Sequence, residues 1–186
     1  MPGPRRIIRR RNSERRGVSL PGVRPLDSYF KKSNFSEKQR IALRDKFENG
    51  EDISSSLGKP IEIRKDPYRK LPNGRMERYA DLELVYPNGI KLLLSHTHYT
   101  PRPRGRRRYY SRTPKTYLIL DASLIIPKEK PGKFTSEKYW VGHKGIKVQV
   151  KDKDKAHRSM QRFLRKTLGL NVKYDPVIST PEIEVK

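Results

Sequence analysis

The chain has 186 residues, with 44 Lys+Arg against 20 Asp+Glu, a formal net charge of +24 at pH 7 and an isoelectric point near 10.4. Natural domains hold net charge to about 2–8 in magnitude, because a larger excess makes a compact state repel itself, so this composition implies a polyanionic partner, nucleic acid first among them. The absence of cysteine excludes disulfides, thiolate nucleophiles and Cys-type zinc sites.

Residues 1–17, MPGPRRIIRRRNSERRG, carry Arg5, Arg6, Arg9, Arg10, Arg11, Arg15 and Arg16 against one acid, Glu14. With so few apolar side chains, this segment is predicted to be a disordered arm when free and to condense on phosphates when bound. Arginine suits that task because its planar fork bridges two phosphate oxygens. A solvated tail or a nuclear-import signal would read the same way. Ile7 and Ile8 alone do not make the apolar core of a secretory signal, and Pro2 and Pro4 oppose the amphipathic helix of a mitochondrial presequence.

Residues 18–35 contain Pro21-Gly22 and Pro25 and read as an extended linker lying on the domain. A folded, nucleic-acid-binding domain is then predicted over 36–186. Ser36 followed by Gln39 is a capping box, with Phe35 placed to staple against Arg40 or Ile41. Ile41, Ala42, Leu43 and Phe47 would form the apolar side of the helix, which Asn49-Gly50 ends.

From Ile61 the period changes to two, and the pattern is broken by Pro-Asn-Gly at 72–74 and again at 87–89. Asn-Gly accepts the positive φ values of tight hairpins, so the strands around both turns are expected to form an antiparallel meander. Further strands are predicted at Lys115–Ile126, Lys138–Val141, Ile146–Val150, Leu170–Tyr174 and Ile183–Val185. The run from Tyr117 to Pro127 is the longest apolar one, is interrupted by Asp121, and falls far short of the ~20 residues a spanning helix needs.

Two segments carry the chemistry. The loop 99–115 holds Arg102, Arg104, Arg106, Arg107, Arg108, Arg112 and Lys115, and no acid occurs between Glu83 and Asp121. Tyr99, Tyr109 and Tyr110 interleave with these cations, and aromatic faces stack on unpaired bases, which favours RNA or single strands over duplex. The competing reading is a solvated loop with strand-end tyrosines. The second segment is a helix expected over Asp154–Leu168 and stopped by Gly169. Lys155, Arg158, Arg162, Arg165 and Lys166 fall on one side of it, while Ala156, Met160, Phe163, Leu164 and Leu168 fall on the other. Asp152 or Asp154 would cap it. Its basic side suits nucleic acid or anionic lipid, although such faces are often merely solvated.

Other motifs fall short of a site. His96 and His98 share a strand face but have no third ligand at helpful spacing, since His143 and His157 stand alone. Asp121 could be a nuclease metal ligand but lacks a second carboxylate and a nearby Lys, so the ordinary reading is a strand Asp meeting a Ser, an Arg or a backbone N–H. The segment PGKFTS at 131–136 lacks the earlier glycine of a phosphate loop.

The arm Arg5–Arg16, the Pro-Gly linker and the strand-turn series Ile61–Val150 together resemble the organisation of coat proteins of small RNA viruses. That resemblance implies an arm inside a shell that neutralises genome, and a jelly-roll domain that tiles the shell. The +18 left on the remainder of the chain and the basic internal loop depart from it and suit ribosomal proteins, whose small bodies thread basic loops through rRNA. A basic virion matrix protein is a third class.

The expectations are therefore a mainly β fold, antiparallel and jelly-roll or barrel-like, with two short helices, or α+β as the alternative. The function expected is non-catalytic binding of RNA, single-stranded or ribosomal, within a self-assembling or larger ribonucleoprotein, with no cofactor and no metal. An anionic membrane surface is a further candidate contact. The location expected is a virion, the host cytoplasm or nucleus, or a mitochondrial ribosome.

Overall fold

The computed structural model describes residues 35–101, 115–128 and 138–184. The arm, all of the linker but Phe35, and residues 102–114 of the basic loop lie outside these described residues.

Helix α1 spans Glu37–Asn49, and its capping box forms as predicted: Gln39 N–H donates to Ser36 Oγ, and Ser36 N–H donates to the Gln39 side chain. Gly50, with φ 71°, ends it. The inward face differs from the predicted one. It consists of Arg40, Leu43 and Phe47, whereas Ala42 is exposed. Arg40 is buried because its guanidinium finds backbone acceptors, donating to Phe35 O at 2.9 Å and to Pro127 O at 2.8 Å. Such pairing lets a charge leave water. A four-residue helix, α2, Ser54–Leu57, has no apolar period long enough to announce it in the sequence.

The strands are β1 Glu62–Lys65, β2 Tyr68–Lys70, β3 Met76–Arg78, β4 Leu82–Val85, β5 Lys91–Tyr99, β6 Tyr117–Pro127, β7 Tyr139–Gln149, β8 Val172–Tyr174 and β9 Pro181–Ile183. Five of them form one antiparallel sheet in the order β1-β4-β5-β6-β7, and β2-β3 and β8-β9 are separate two-stranded pairs. The fold is mainly β, as expected, and the antiparallel sheet is an open one with helices on one face.

Both Pro-Asn-Gly turns make hairpins. At the second, Tyr86 N–H donates to Ile90 O at 2.9 Å, and Gly89 holds φ 77°. The simple meander is corrected, however. The strand before the first turn breaks at Asp66, which has φ 48°, and Pro67, which has no N–H to continue a ladder. The β2-β3 ribbon therefore leaves the sheet, and β1 pairs directly with β4.

A second correction concerns β7, which is one strand where two were predicted. The predicted strands left 142–145 between them, but Gly142 lies in the continuous strand and lets α1 approach: a Cβ there would lie 3.0 Å from Phe47 Cδ1 and 3.3 Å from the Arg44 carbonyl oxygen. Glycine in a strand often marks such a close approach.

Alternation decides which face is covered. Leu92, Leu94, Leu118, Leu120, Ala122, Leu124 and Ile126 point to one side and are fully buried. Each large one contributes about 1.5–3 kcal/mol. Helix α3, Lys153–Leu168, lies on that side and buries Ala156, Met160, Leu164 and Leu168 against it. Asp152 is its N-cap residue but makes no side-chain cap bond, a correction to the predicted capping. Gly169, with φ 66°, ends it as predicted.

Candidate nucleic-acid interface

β5 and β6 pair up to the residues that flank the basic segment 102–114 in sequence. Tyr99 and Tyr117 are directly opposite in the ladder. One step beyond, Thr100 Oγ1 and Thr116 Oγ1 lie 3.0 Å apart, and Val150 N–H donates to Thr116 O at 3.0 Å. Lys115, next to Thr116 in sequence, is exposed. Arg102, Arg104, Arg106, Arg107, Arg108, Tyr109, Tyr110 and Arg112 lie outside the described residues, as do Arg5, Arg6, Arg9, Arg10, Arg11, Arg15 and Arg16.

Helix α3 presents the second group as predicted. Lys155, Arg158, Arg162, Arg165 and Lys166 are all exposed, at steps of three and four along the helix. None of them joins an ion pair among the described residues, and Asp154, one turn before Arg158, is no exception. Like charges at i, i+4, here Arg158–Arg162 and Arg162–Lys166, destabilise a helix by about 0.2–0.5 kcal/mol per pair. Arg165 and Lys166 recover part of this by facing the negative end of the helix dipole.

Other cations are committed internally. Glu83 is buried and accepts from Lys91 Nζ at 2.7 Å, from Tyr79 Oη at 2.7 Å and from Arg64 at 3.3 Å. Burial, and then the bond to Glu83, raise the Tyr79 phenol well above its usual pKa, so it stays a donor. Arg44, Arg69 and Arg78 pair with Asp45, Glu77 and Asp66. Arg78 also pairs with Asp81, which in turn receives the backbone N–H and Nδ1 of His96 at 2.7 and 2.6 Å.

The histidines are placed structurally. His96 and His98 share a face, with ring centroids 5.8 Å apart, and among the described residues no group of three His, Asp or Glu could hold a metal. His157 stacks on Tyr174 at 5.1 Å, and its Nε2 lies 2.9 Å from Ser179 Oγ. Burial holds the His157 pKa below its ordinary value. This resembles a Ser–His dyad, but Ser179 has no solvent exposure and so no route to a substrate. The contact pins the turn between β8 and β9 to α3.

The opposite face of the sheet was not foreseen as a surface. It carries Leu93, Thr97 and Tyr99 of β5, Tyr117, Ile119, Asp121 and Ile125 of β6, and Val141, His143 and Lys147 of β7. Asp121 is partly exposed there and pairs with His143 Nε2 at 3.1 Å, instead of meeting Ser, Arg or a backbone N–H. Lys147 Nζ sits 5.3 Å from the Tyr99 ring centroid and 5.0 Å from that of Tyr117. Only the register, which needs the strand pairing, brings these three together; the alternation of the sequence could have placed Tyr117 and Ile119 on one face. A shallow groove of about 330 Å³ between β7 and α3 is lined by Ile146, Val148, Asp152 and Lys155 and holds no converging acid–base set. No helix among the described residues is long and apolar enough to cross a membrane. Comparison of the chain with protein-family models, with curated proteins and with solved structures finds no match.

Proposed function

We propose that this chain is a non-catalytic RNA-binding structural protein that packages RNA in a larger particle, as a viral coat or nucleocapsid protein does. The observation that carries the RNA reading is the exposed stripe Lys155, Arg158, Arg162, Arg165 and Lys166, which has no acid partner among the described residues. A body that satisfies Arg44, Arg64, Arg69 and Arg78 with its own carboxylates leaves these five free for phosphate. The arm 1–17 and the loop 99–115 add thirteen more arginines against a single acid, Glu14. Phosphate contacts of this kind fix position and give affinity independent of base sequence.

A ribosomal role is the second reading. One observation favours it: among the described residues one five-stranded open sheet is backed by helices, a small body suited to lodging in folded RNA, whereas a jelly roll tiles a shell with two facing sheets.

The test has two parts. In the full chain, Arg158, Arg162 and Arg165 changed together to Gln should lower the slope of log affinity against log salt for single-stranded RNA by about 2, at about 0.7 per phosphate neutralised. An unchanged slope refutes a role for α3. Mixing the purified protein with RNA then separates the two readings. Uniform closed particles support packaging, whereas one copy cofractionating with ribosomes supports the other.

A further inference from the structure

The side of the sheet turned away from α1 and α3 carries an aromatic pair that neither the arm nor the basic loop explains. Tyr99, the last residue of β5, is 45% exposed, and its ladder partner Tyr117, the first residue of β6, stands beside it on the same face. Lys147, exposed on the neighbouring strand, is held over both rings. No acid pairs with Lys147 among the described residues, and the face continues from Tyr117 to Ile119 before it meets Asp121. In sequence, Tyr99 and Tyr117 bracket the arginine-rich segment, which runs from Tyr99 to Lys115 and ends two residues before Tyr117.

We propose that Tyr99, Tyr117 and Lys147 form a stacking platform for unpaired bases of an RNA strand. The inference rests on the RNA-binding reading above and deepens it, moving part of the recognition from phosphate to base. Charge identifies the occupant. A neutral or acidic peptide would also accept the lysine, but only a polyanion whose flat apolar rings alternate with phosphates matches adjacent aromatic rings, a central cation and a flanking arginine-rich segment together. Aromatic rings can stack on unpaired bases, and Lys147, 5.3 and 5.0 Å from the two ring centroids, would swing off the rings to meet a backbone phosphate as the bases take its place. Duplex RNA hides its base faces and gains nothing here.

The experiment uses the full chain, a single-stranded uridine oligomer and an RNA duplex of equal length, read by fluorescence anisotropy. Tyr99→Leu with Tyr117→Leu keeps apolar bulk on the strands but removes the π-faces. Single-strand affinity should fall roughly ten-fold or more, duplex affinity and the salt slope should stay, and Tyr99→Phe with Tyr117→Phe should bind as the parent does. Lys147→Gln should instead lower the single-strand salt slope by about 0.7. Equal loss on single strand and duplex, or no loss on either, overturns the platform while leaving RNA binding intact. A parent that binds neither probe overturns the underlying reading instead. A measurement on the unaltered protein guards against a variant that fails to fold: photocrosslinking of a 4-thiouridine oligomer should map to the peptides holding Tyr99 or Tyr117, and crosslinks confined to other peptides overturn the proposal.

Discussion

Gly142 on β7 is the sharpest test of how α1 sits on the sheet, and hence of which face is covered. A Cβ added there lies 3.0 Å from Phe47 Cδ1, 3.3 Å from Arg44 O and 3.5 Å from Arg44 Cγ. Carbon atoms pack best at about 3.5–4.0 Å, so the methyl of Gly142→Ala is about half an ångström too close to a ring that cannot retreat. Phe47 has no exposure, and Phe163 meets its edge at 5.2 Å and 81°. Overpacking of this kind destabilises by about 1–3 kcal/mol, and relieving the entropy of a strand glycine returns about 0.5–1, so the net loss lies between about 0 and 2.5 kcal/mol, centred near 1. For a body of this size a loss of about 1 kcal/mol lowers Tm by roughly 3–6 °C. Gly145→Ala is the internal control. Its Cβ meets Asp121 Oδ1 and His143 Cε1, each at 3.1 Å, but both are ends of side chains that can turn into solvent. Thermal and urea unfolding of the two variants should therefore differ, with Gly142→Ala clearly weaker. If Gly142→Ala equals or exceeds Gly145→Ala in stability, α1 does not pack on β7 as described.

Gly89→Val places a β-branched residue at φ 77°, where the Pro-Asn-Gly turn between β4 and β5 needs the left-handed region, and should destabilise the domain measurably in urea. A variant as stable as the parent would show that the hairpin tolerates another turn. Acid should also weaken the fold through His157, whose pKa is depressed from 6.5 by burial. A depressed histidine is neutral when folded, so its contribution is complete above about pH 6.5 and is lost as pH falls through the folded value, at up to about 1.4 kcal/mol per pH unit. Asp52 and Asp175, held below 3.8 by hydrogen bonds, titrate outside that window. Unfolding midpoints from pH 7 to 5 should fall in the parent and flatten in His157→Gln, and parallel profiles would refute the assignment.

Local chemistry was what the sequence made legible. The Ser36 capping box, the two Asn-Gly turns, the Gly50 and Gly169 stops and the two-faced helix 153–168 depend on neighbours within a few residues, and all stand where the pattern put them. What depended on distant partners was hidden. The continuity of β7 through Gly142 was hidden because Phe47, which packs on that glycine, lies on another element, and the β1-β4 pairing was masked because a left-handed Asp66 and Pro67 split one apparent strand into two. Arg40 was named only as a candidate staple partner of Phe35, and its burial was not foreseen because its second carbonyl acceptor, Pro127, lies 87 residues away. For the site, the helical period of basic and apolar residues announced the basic helix, whereas the grouping of Tyr99, Tyr117 and Lys147 needed the register of three strands. Sequence reasoning named Tyr99 but missed its partners.

RNA binding by the folded body, and not only by its arm, is tested most directly by measuring single-stranded RNA affinity against salt for three proteins: the full chain, the chain lacking 1–17, and that deletion with Arg106, Arg107 and Arg108 changed to Ala. The deletion removes seven arginines and one acid, and each phosphate no longer neutralised lowers the slope by about 0.7. The predicted result is a steep slope for the full chain, a smaller but still substantial one for the deletion with unchanged circular dichroism, and a further several-fold loss of affinity at physiological salt for the triple variant. Affinity that vanishes with the arm, or that ignores salt throughout, would contradict an RNA-binding body.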